Sequence, residues 1–359
     1  MKEREALISL AAFVPFGPVR IKLLIEYFGS ATKAYSVSSK KLREIGLGEK
    51  LVSEFDKHRR SFKYEEYAAK LDKYSIRVIT QKDDQYPKLL LEIENAPTVL
   101  YVRGELKQAD SVAIAVVGSR KVTSYGKEVA YKIASELAAS GITVVSGLAL
   151  GVDSIAHQAA LDVGGRTLAI LGNGLDIIYP PANRRLGQEV IKNGALISEY
   201  PLGYPAMPYN FPQRNRIVSG ISLGVVVIEG TEKSGTLLTA SHAAAQGREV
   251  FAVPGPITSP NAGAPNILLR NGAKLVTSAK DILEELDLGT RHLAIGNREI
   301  LPETKEEIEL FAILEIEPLH VDEITRRLGK DTGVVLSTIT TMELKGMIKN
   351  IGNGVYGRI

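Results

Sequence analysis

The sequence predicts an α/β protein: an extended Rossmann-like parallel-sheet core flanked by an amino-terminal helical domain and a carboxyl-terminal winged-helix domain. Three observations carry this reading. From 111 to 286 short apolar runs alternate with helical stretches, the pattern of an open parallel sheet. Before residue 73 the helical patterns are broken by glycine, and after 304 three helical patterns end in an Asn-Gly turn signal.

Residues 1–72 read as short helices. Phe16-Gly17-Pro18 leads into Ile21, Leu23, Leu24 and Ile25 before Phe28-Gly29-Ser30. Leu42 and Ile45 then precede Gly46-Leu47-Gly48, followed by Leu51, Val52 and Phe55. Helix, tight glycine turn, helix is the helix-hairpin-helix pattern, whose turn amides can meet a phosphate. A plain bundle capped by glycines fits the same residues. Residues 73–110 change period: Ile76, Val78 and Ile79, then 99–102, suggest strands in a connecting segment packed on the core.

Residues 111–287 form the core domain. Strands are expected at 112–117, 143–146, 167–171, 195–198, 224–228, 249–253 and 274–276, with helices over 124–139, 152–163, 182–193, 212–219 and 234–246. Four of these strands are almost continuous apolar runs, as strands covered on both faces should be. Residues 288–303, with Gly289, Gly296 and Pro302, read as a linker. Residues 304–359 read as a winged helix, with helices from Ile308, over 320–328 and over 333–344, and a hairpin turning at Asn353-Gly354.

Composition narrows the chemistry. The chain has no cysteine, which excludes disulfides and thiol catalysis, and its five histidines form no H-x-x-x-H pair, which argues against zinc. No apolar run reaches the length of a membrane span, and the opening lacks a signal-peptide core, so a cytoplasmic protein without membrane contact is expected. The net charge of +3 is uneven: residues 1–60 hold 12 Lys/Arg against 7 Asp/Glu, 105–303 balance at 18 and 18, and 304–359 hold 7 against 9.

The loops after the strands point to an anion. Ligands of open parallel sheets bind at the carboxyl ends of strands, where helix amino termini also converge. Here those exits read Gly118-Ser119-Arg120-Lys121, Ser146-Gly147, Gly172-Asn173-Gly174, Phe211-Pro212-Gln213-Arg214-Asn215-Arg216, Ser234-Gly235-Thr236 and Pro254-Gly255-Pro256. Arg120, Arg184, Arg185, Arg214 and Arg216 all follow sheet exits. Several glycine turns flanked by arginine suit a polyanion lying along one edge. The alternative is that Arg214 and Arg216 simply pair with Glu229 or Asp153. The first turn lacks G-x-G-x-x-G and no P-loop is present, so neither a dinucleotide fold nor a nucleotide triphosphatase is indicated. As catalytic candidates, Asp153 and His157 lie four apart on one helix, but Asp153 reads better as a cap and no partner completes a constellation.

Taken together, VVGSR (116–120), SGLALGVDSIAHQAAL (146–161), FPQRNRIVSG (211–220), EGTEKSGTLLTASHAAAQGREVFAVPG (229–255) and NGA (271–273) resemble the DNA-processing protein A family, DprA, also called Smf. The tail VDEI…VLSTITTMELKGMIK…GNGVYGR resembles that family's winged helix, and the amino-terminal hairpins resemble its sterile-alpha-motif-like domain. The resemblance implies a single-stranded DNA-binding recombination mediator that protects DNA and helps load the RecA recombinase in natural transformation. It also implies homodimers through the Rossmann-like domain, no enzymatic chemistry and no cofactor. The phosphate contacts expected are Gly118, Ser119, Arg120, Lys121, Arg184, Arg185, Arg214, Asn215, Arg216, Ser234, Gly235 and Thr236. Tyr179 and Phe211 are expected to stack on bases. The acidic winged helix suggests a protein contact or a weak DNA contact there.

The rival reading is a phosphoribohydrolase-like enzyme of the lysine-decarboxylase-like Rossmann group. Its P-G-G-x-G-T-x-x-E motif is approached at Ser234-Gly235-Thr236, but Thr239 stands where the glutamate belongs, so Glu229 would have to serve instead. A nucleotide-sensing regulator with a winged-helix output is the third class.

Overall fold

The computed structural model describes residues 1–288, 302, 304–314, 317–344, 347–352 and 354–358. It divides into two compact units, Met1–His292 and Leu293–Ile359.

The first unit opens with six helices: α1 (Glu3–Ala11), α2 (Gly17–Phe28), α3 (Ala31–Ser36), α4 (Ser39–Glu44), α5 (Glu49–Ser61) and α6 (Tyr64–Lys73). Phe13, Phe16 and Phe55 close this bundle, with ring centroids 4.5–5.3 Å apart. The first glycine hairpin does not offer free amides. Glu3 accepts hydrogen bonds from the Ala31 amide at 2.6 Å, the Thr32 amide at 3.0 Å and the Thr32 hydroxyl at 2.8 Å, and so caps α3 from within the bundle. For that hairpin the plain-bundle alternative describes the geometry.

Nine strands form one sheet: β1 (Ile76–Thr80), β2 (Val99–Gly104), β3 (Ala113–Val117), β4 (Thr143–Ser146), β5 (Thr167–Ile170), β6 (Gly194–Ser198), β7 (Gly224–Val227), β8 (Glu249–Ala252) and β9 (Lys274–Leu275). Their order is β1-β2-β6-β5-β4-β3-β7-β8-β9. The seven from β3 to β9 are parallel, as their apolar runs predict. Residues 73–110 are more than a connection: β1 and β2 pair antiparallel, and β2 joins β6 antiparallel, extending the sheet by two strands.

Alternation within β3 shows how the sheet is covered. Ala113, Ala115 and Val117 face the layer of α11 (Asn210–Ile221) and α12 (Gly235–Ala245). Ile114 and Val116 face α8 (Ser124–Ala139), α9 (Val152–Asp162) and α14 (Ala279–Glu285). Two further helices are α7 (Lys88–Leu91) and α10 (Arg184–Asn193), the latter packing Val190 against β5 and β6. Helices α13 (Gly263–Arg270) and α14, absent from the sequence expectation, are eight and seven residues long and too short to display a helical period.

The second unit is a winged helix: α15 (Lys305–Leu314), β10 (Leu319–His320), α16 (Val321–Leu328), α17 (Thr332–Leu344), β11 (Ile348–Gly352) and β12 (Val355–Arg358). Its strands order β10-β12-β11 around a core of Leu310, Ile324, Val335, Ile339 and Met342. Asn353 of the expected turn lies outside the described residues, as does most of the expected linker. From Thr332 to Leu344 α17 carries no lysine or arginine. Beside it, Arg326 pairs with Glu323, Arg327 with Glu317 and Glu323, and Lys330 with Glu306 and Glu309. No single helix among the described residues is long and apolar enough to cross a membrane.

Candidate nucleic-acid interface

The site lies where the loops after β3, β4 and β5 meet the amino end of α11. In this strand order the topological switch falls between β3 and β7, the usual crevice for a nucleotide. That crevice is filled from inside. The buried Glu229 carboxylate accepts from the Thr123 amide at 2.9 Å and the Thr123 hydroxyl at 2.5 Å, capping α8. Its bond to Thr123 holds it in a structural place rather than a catalytic one. The positively charged edge therefore sits one strand over, at β3, β4 and β5.

The β4 exit is a rigid strut. Asp153 accepts from the Gly147 amide at 3.1 Å and the Ala149 amide at 3.4 Å. His157 Nε2 accepts from the Leu148 amide at 3.3 Å while its Nδ1 lies 2.6 Å from Thr167 Oγ1, whose proton goes to the Val144 carbonyl. These bonds fix the neutral Nδ1–H tautomer. Asn183 Nδ2 donates to the Leu148 and Ala149 carbonyls, tying this loop to the start of α10. The amides expected to cradle a phosphate at Ser146-Gly147 are thus engaged within the protein. Asp153 and His157 are buried supports, not an acid–base dyad on an open surface.

Two glycines set the fit. A side chain at Gly147 would land on the Arg214 guanidinium. Gly151, at φ +83°, brings the loop against the Ser119 carbonyl and Arg120, a conformation that other residues rarely adopt. The β4 loop therefore touches both arginines.

The expected contacts sort into three groups. Arg120, Lys121, Arg184 and Arg185 are exposed, and none forms an ion pair with a described residue. Arg184 and Arg185 open α10, where the first amides have no side-chain cap. Ser119, Asn215, Ser234 and Gly235 stand at the same edge; the Ser119 hydroxyl accepts from the Lys121 amide, the Ser234 hydroxyl accepts from the Thr236 amide, and Asn215 Nδ2 reaches the Gly235 carbonyl at 3.5 Å. Gly118 packs against Val152, and Thr236 is buried with its hydroxyl on Ser234.

Two arginines are placed otherwise than expected. Arg214 is buried beneath the β4 loop, facing Asp153, which is the opposing charge the alternative named. Burial lowers its pKa, Asp153 opposes that, and the nearby Arg120 guanidinium lowers it again. Arg216 leaves the edge altogether and binds Glu199 through Nη2 and Oε2 at 2.5 Å, with both side chains nearly enclosed. Neither Glu229 nor Asp153 is its partner. The α-helical turn explains this: two residues apart on α11, their side chains leave opposite sides.

The aromatic pair does assemble. Tyr179 and Phe211 stack with centroids 5.8 Å apart and planes at 21°, and the Arg120 guanidinium lies 5.3 Å from the Phe211 centroid. Tyr179 is 40% exposed. Tyr209, at 56% exposed, has its hydroxyl 3.5 Å from that of Tyr204, and Tyr200 is buried in a stack on Tyr204. The residues that sequence reasoning passed over are Asn183 and Lys233. Asn183 was legible only as the residue before Arg184-Arg185, and Lys233 is an exposed cation beside Ser234.

The strut makes stability pH-dependent. Burial, reinforced by Arg214, holds His157 at about 3, below its ordinary 6.5. A histidine depressed on folding contributes stability above pH 6.5, which is lost as pH falls toward 3. At pH 5 the expected loss is about 2 kcal/mol. Urea unfolding at pH 7 and pH 5 measures it; His157→Gln, which keeps an acceptor and a donor, should flatten the difference.

Comparisons with known proteins show the family and the fold. Residues 77–287 match the model of the DNA recombination-mediator protein A family, and residues 297–354 match the DprA winged helix domain. Protein Smf of Escherichia coli is 41% identical over 291 residues, 79% of this chain and 78% of that one. DNA processing protein DprA of Bacillus subtilis is 43% identical over 212 residues, 59% and 71% of the two chains. The structure of DNA processing protein A from Streptococcus pneumoniae aligns with a TM-score of 0.69 at 34% identity, covering 79% of this chain and 99% of that chain. That of DNA processing protein A from Helicobacter pylori, described for its single-stranded DNA binding mode, aligns at 0.54 and 30% identity, covering 59% and 96%.

Proposed function

The chain belongs to the DNA recombination-mediator protein A family, and from that premise we propose that it binds single-stranded DNA along the β3–β4–β5 edge. One observation supports this above the others: Arg120, Lys121, Arg184 and Arg185 are exposed with no ion pair among the described residues, and Arg120 lies over the stacked Tyr179–Phe211 pair. The Arg120 guanidinium lies close enough to lower the Arg214 pKa, and a phosphate beside them would offset that repulsion. Arg120, Lys121, Arg184 and Arg185 take phosphates; Tyr179 with Phe211 takes bases. Arg214 acts from below, by its field and by shaping the loop, and Arg216 has no part. Stacking supplies ~1–3 kcal/mol per base where it occurs.

In the wider role, the bound strand is protected and passed to a RecA-type recombinase by a homodimer formed through the Rossmann-like unit, in DNA processing that accompanies natural transformation. No catalytic step is assigned, because Glu229, Asp153 and His157 are each engaged in capping or loop support. The cation-free helix α17 suits a protein contact better than a duplex groove.

The test is a gel-shift series with single-stranded and duplex oligonucleotides at several salt concentrations. The single strand should bind more tightly, with a slope of about −0.7 per phosphate contacted. Equal binding of duplex, or affinity indifferent to salt, would sink the proposal.

A further inference from the structure

A cavity of about 490 Å³ opens between the helical bundle and the far side of α11 from the rim. Its walls are mixed: Val19, Pro212 and Leu238 are apolar, whereas Asn95, Thr98 and Gln213 are polar. Its size lies within the range of small-molecule sites, which favour junctions between packed units. At its base lies the Glu199–Arg216 pair. These are the only carboxylate and the only guanidinium or ammonium group among its lining residues.

The pair is incomplete. Arg216 Nη2 meets Glu199 Oε2, but Glu199 Oε1 and Arg216 Nη1 are buried without a hydrogen-bond partner. A buried charged group with an unmet acceptor or donor is costly, and it marks a place for a complementary group. The complement is specific: an N–H for the carboxylate oxygen beside an acceptor for the guanidinium nitrogen. Because the pair neutralises itself and burial keeps the neighbouring His242 below its usual range, the ligand carries no net charge. The mixed walls call for a flat body with apolar faces and polar edges.

We propose that this cavity is a nucleobase-binding site, in which Glu199 Oε1 accepts a base N–H and Arg216 Nη1 donates to the adjacent base acceptor. Guanine fits best, since its N1–H and N2 amino group face a carboxylate while O6 accepts from a guanidinium. Both protein atoms are enclosed in the free chain, so the proposal requires Glu199 and Arg216 to turn toward the cavity as the base enters. The base comes either as a free nucleoside or from a strand held on the rim, because α11 forms a wall of both places: Phe211 and Arg214 on one side, Pro212 and Arg216 on the other. The site does not depend on the rim's function, and the two can fail separately.

Isothermal titration of the full chain with deoxyguanosine, deoxyinosine and deoxyadenosine tests it. Deoxyguanosine should bind saturably and at least about tenfold more tightly than deoxyadenosine, with deoxyinosine between them for want of the N2 amino group. Leu238→Trp, which narrows the cavity without touching the ion pair, should abolish binding, while Arg120→Ala should leave it unchanged. An oligothymidylate carrying one guanine identifies the strand as the source if it displaces deoxyguanosine and plain oligothymidylate does not. If neither displaces it, the free nucleoside is the ligand. No saturable binding, equal affinities for guanine and adenine, or indifference to Leu238→Trp would overturn the proposal.

Discussion

Arg120→Ala should lower affinity for single-stranded DNA about 10- to 100-fold, the equivalent of one charge-assisted contact of ~1.5–3 kcal/mol. The expectation rests on position. Arg120 is exposed, forms no ion pair with a described residue, and projects from the β3 exit over the Phe211 ring 5.3 Å away. Removing it takes away a phosphate partner and uncovers the stacking surface together, so the salt slope should shrink by about 0.7 while some base stacking persists. Arg120→Lys should recover only part of the loss, because an ammonium keeps the charge but lacks the planar fork that both grips a phosphate and lies on a ring. Folding should be untouched, since the side chain is in water. Affinity within a factor of two of the unaltered protein would remove Arg120 from the interface.

Asp153→Ala should cost about 3–5 kcal/mol of stability in urea unfolding, the largest effect expected of any single change near the site. Three losses coincide there. Arg214 is left buried without its main opposing charge, and the Gly147 and Ala149 amides lose their acceptor. Burial raises the Asp153 pKa, while Arg214 and those two amides lower it. Asp153→Asn keeps an acceptor oxygen and should fall between. DNA affinity should drop as well, since the β4 loop carries Gly151 against Arg120. A cost below about 1 kcal/mol would mean that the loop does not depend on this carboxylate.

The sheet was legible because strands covered on both faces leave an unmistakable record of short apolar runs. Its two added strands were harder to place. Ile76, Val78 and Ile79 read as a strand, but nothing local says that β2 runs antiparallel to β6, a pairing made across about ninety intervening residues. The edge proposed to bind was legible from strand exits, since connectivity alone sends those loops to one end of a parallel sheet. What the exits do not reveal is which groups are already engaged. Glu3 and Glu229 reach across the fold, and Asp153 back to its own preceding loop, to occupy amides that look available in the sequence. Arg214 and Arg216 show the same limit. Their spacing places them on different sides of α11, but only tertiary packing supplies Asp153 for one and Glu199 for the other.

Hydrogen exchange of the backbone, with and without a saturating oligothymidylate, tests the central claim most directly. Slower exchange is expected around 119–121, 182–186, 211–215 and 233–237, the four segments that border the rim. Protection confined to the amino-terminal helices or to the winged helix, with those four segments unchanged, would contradict it.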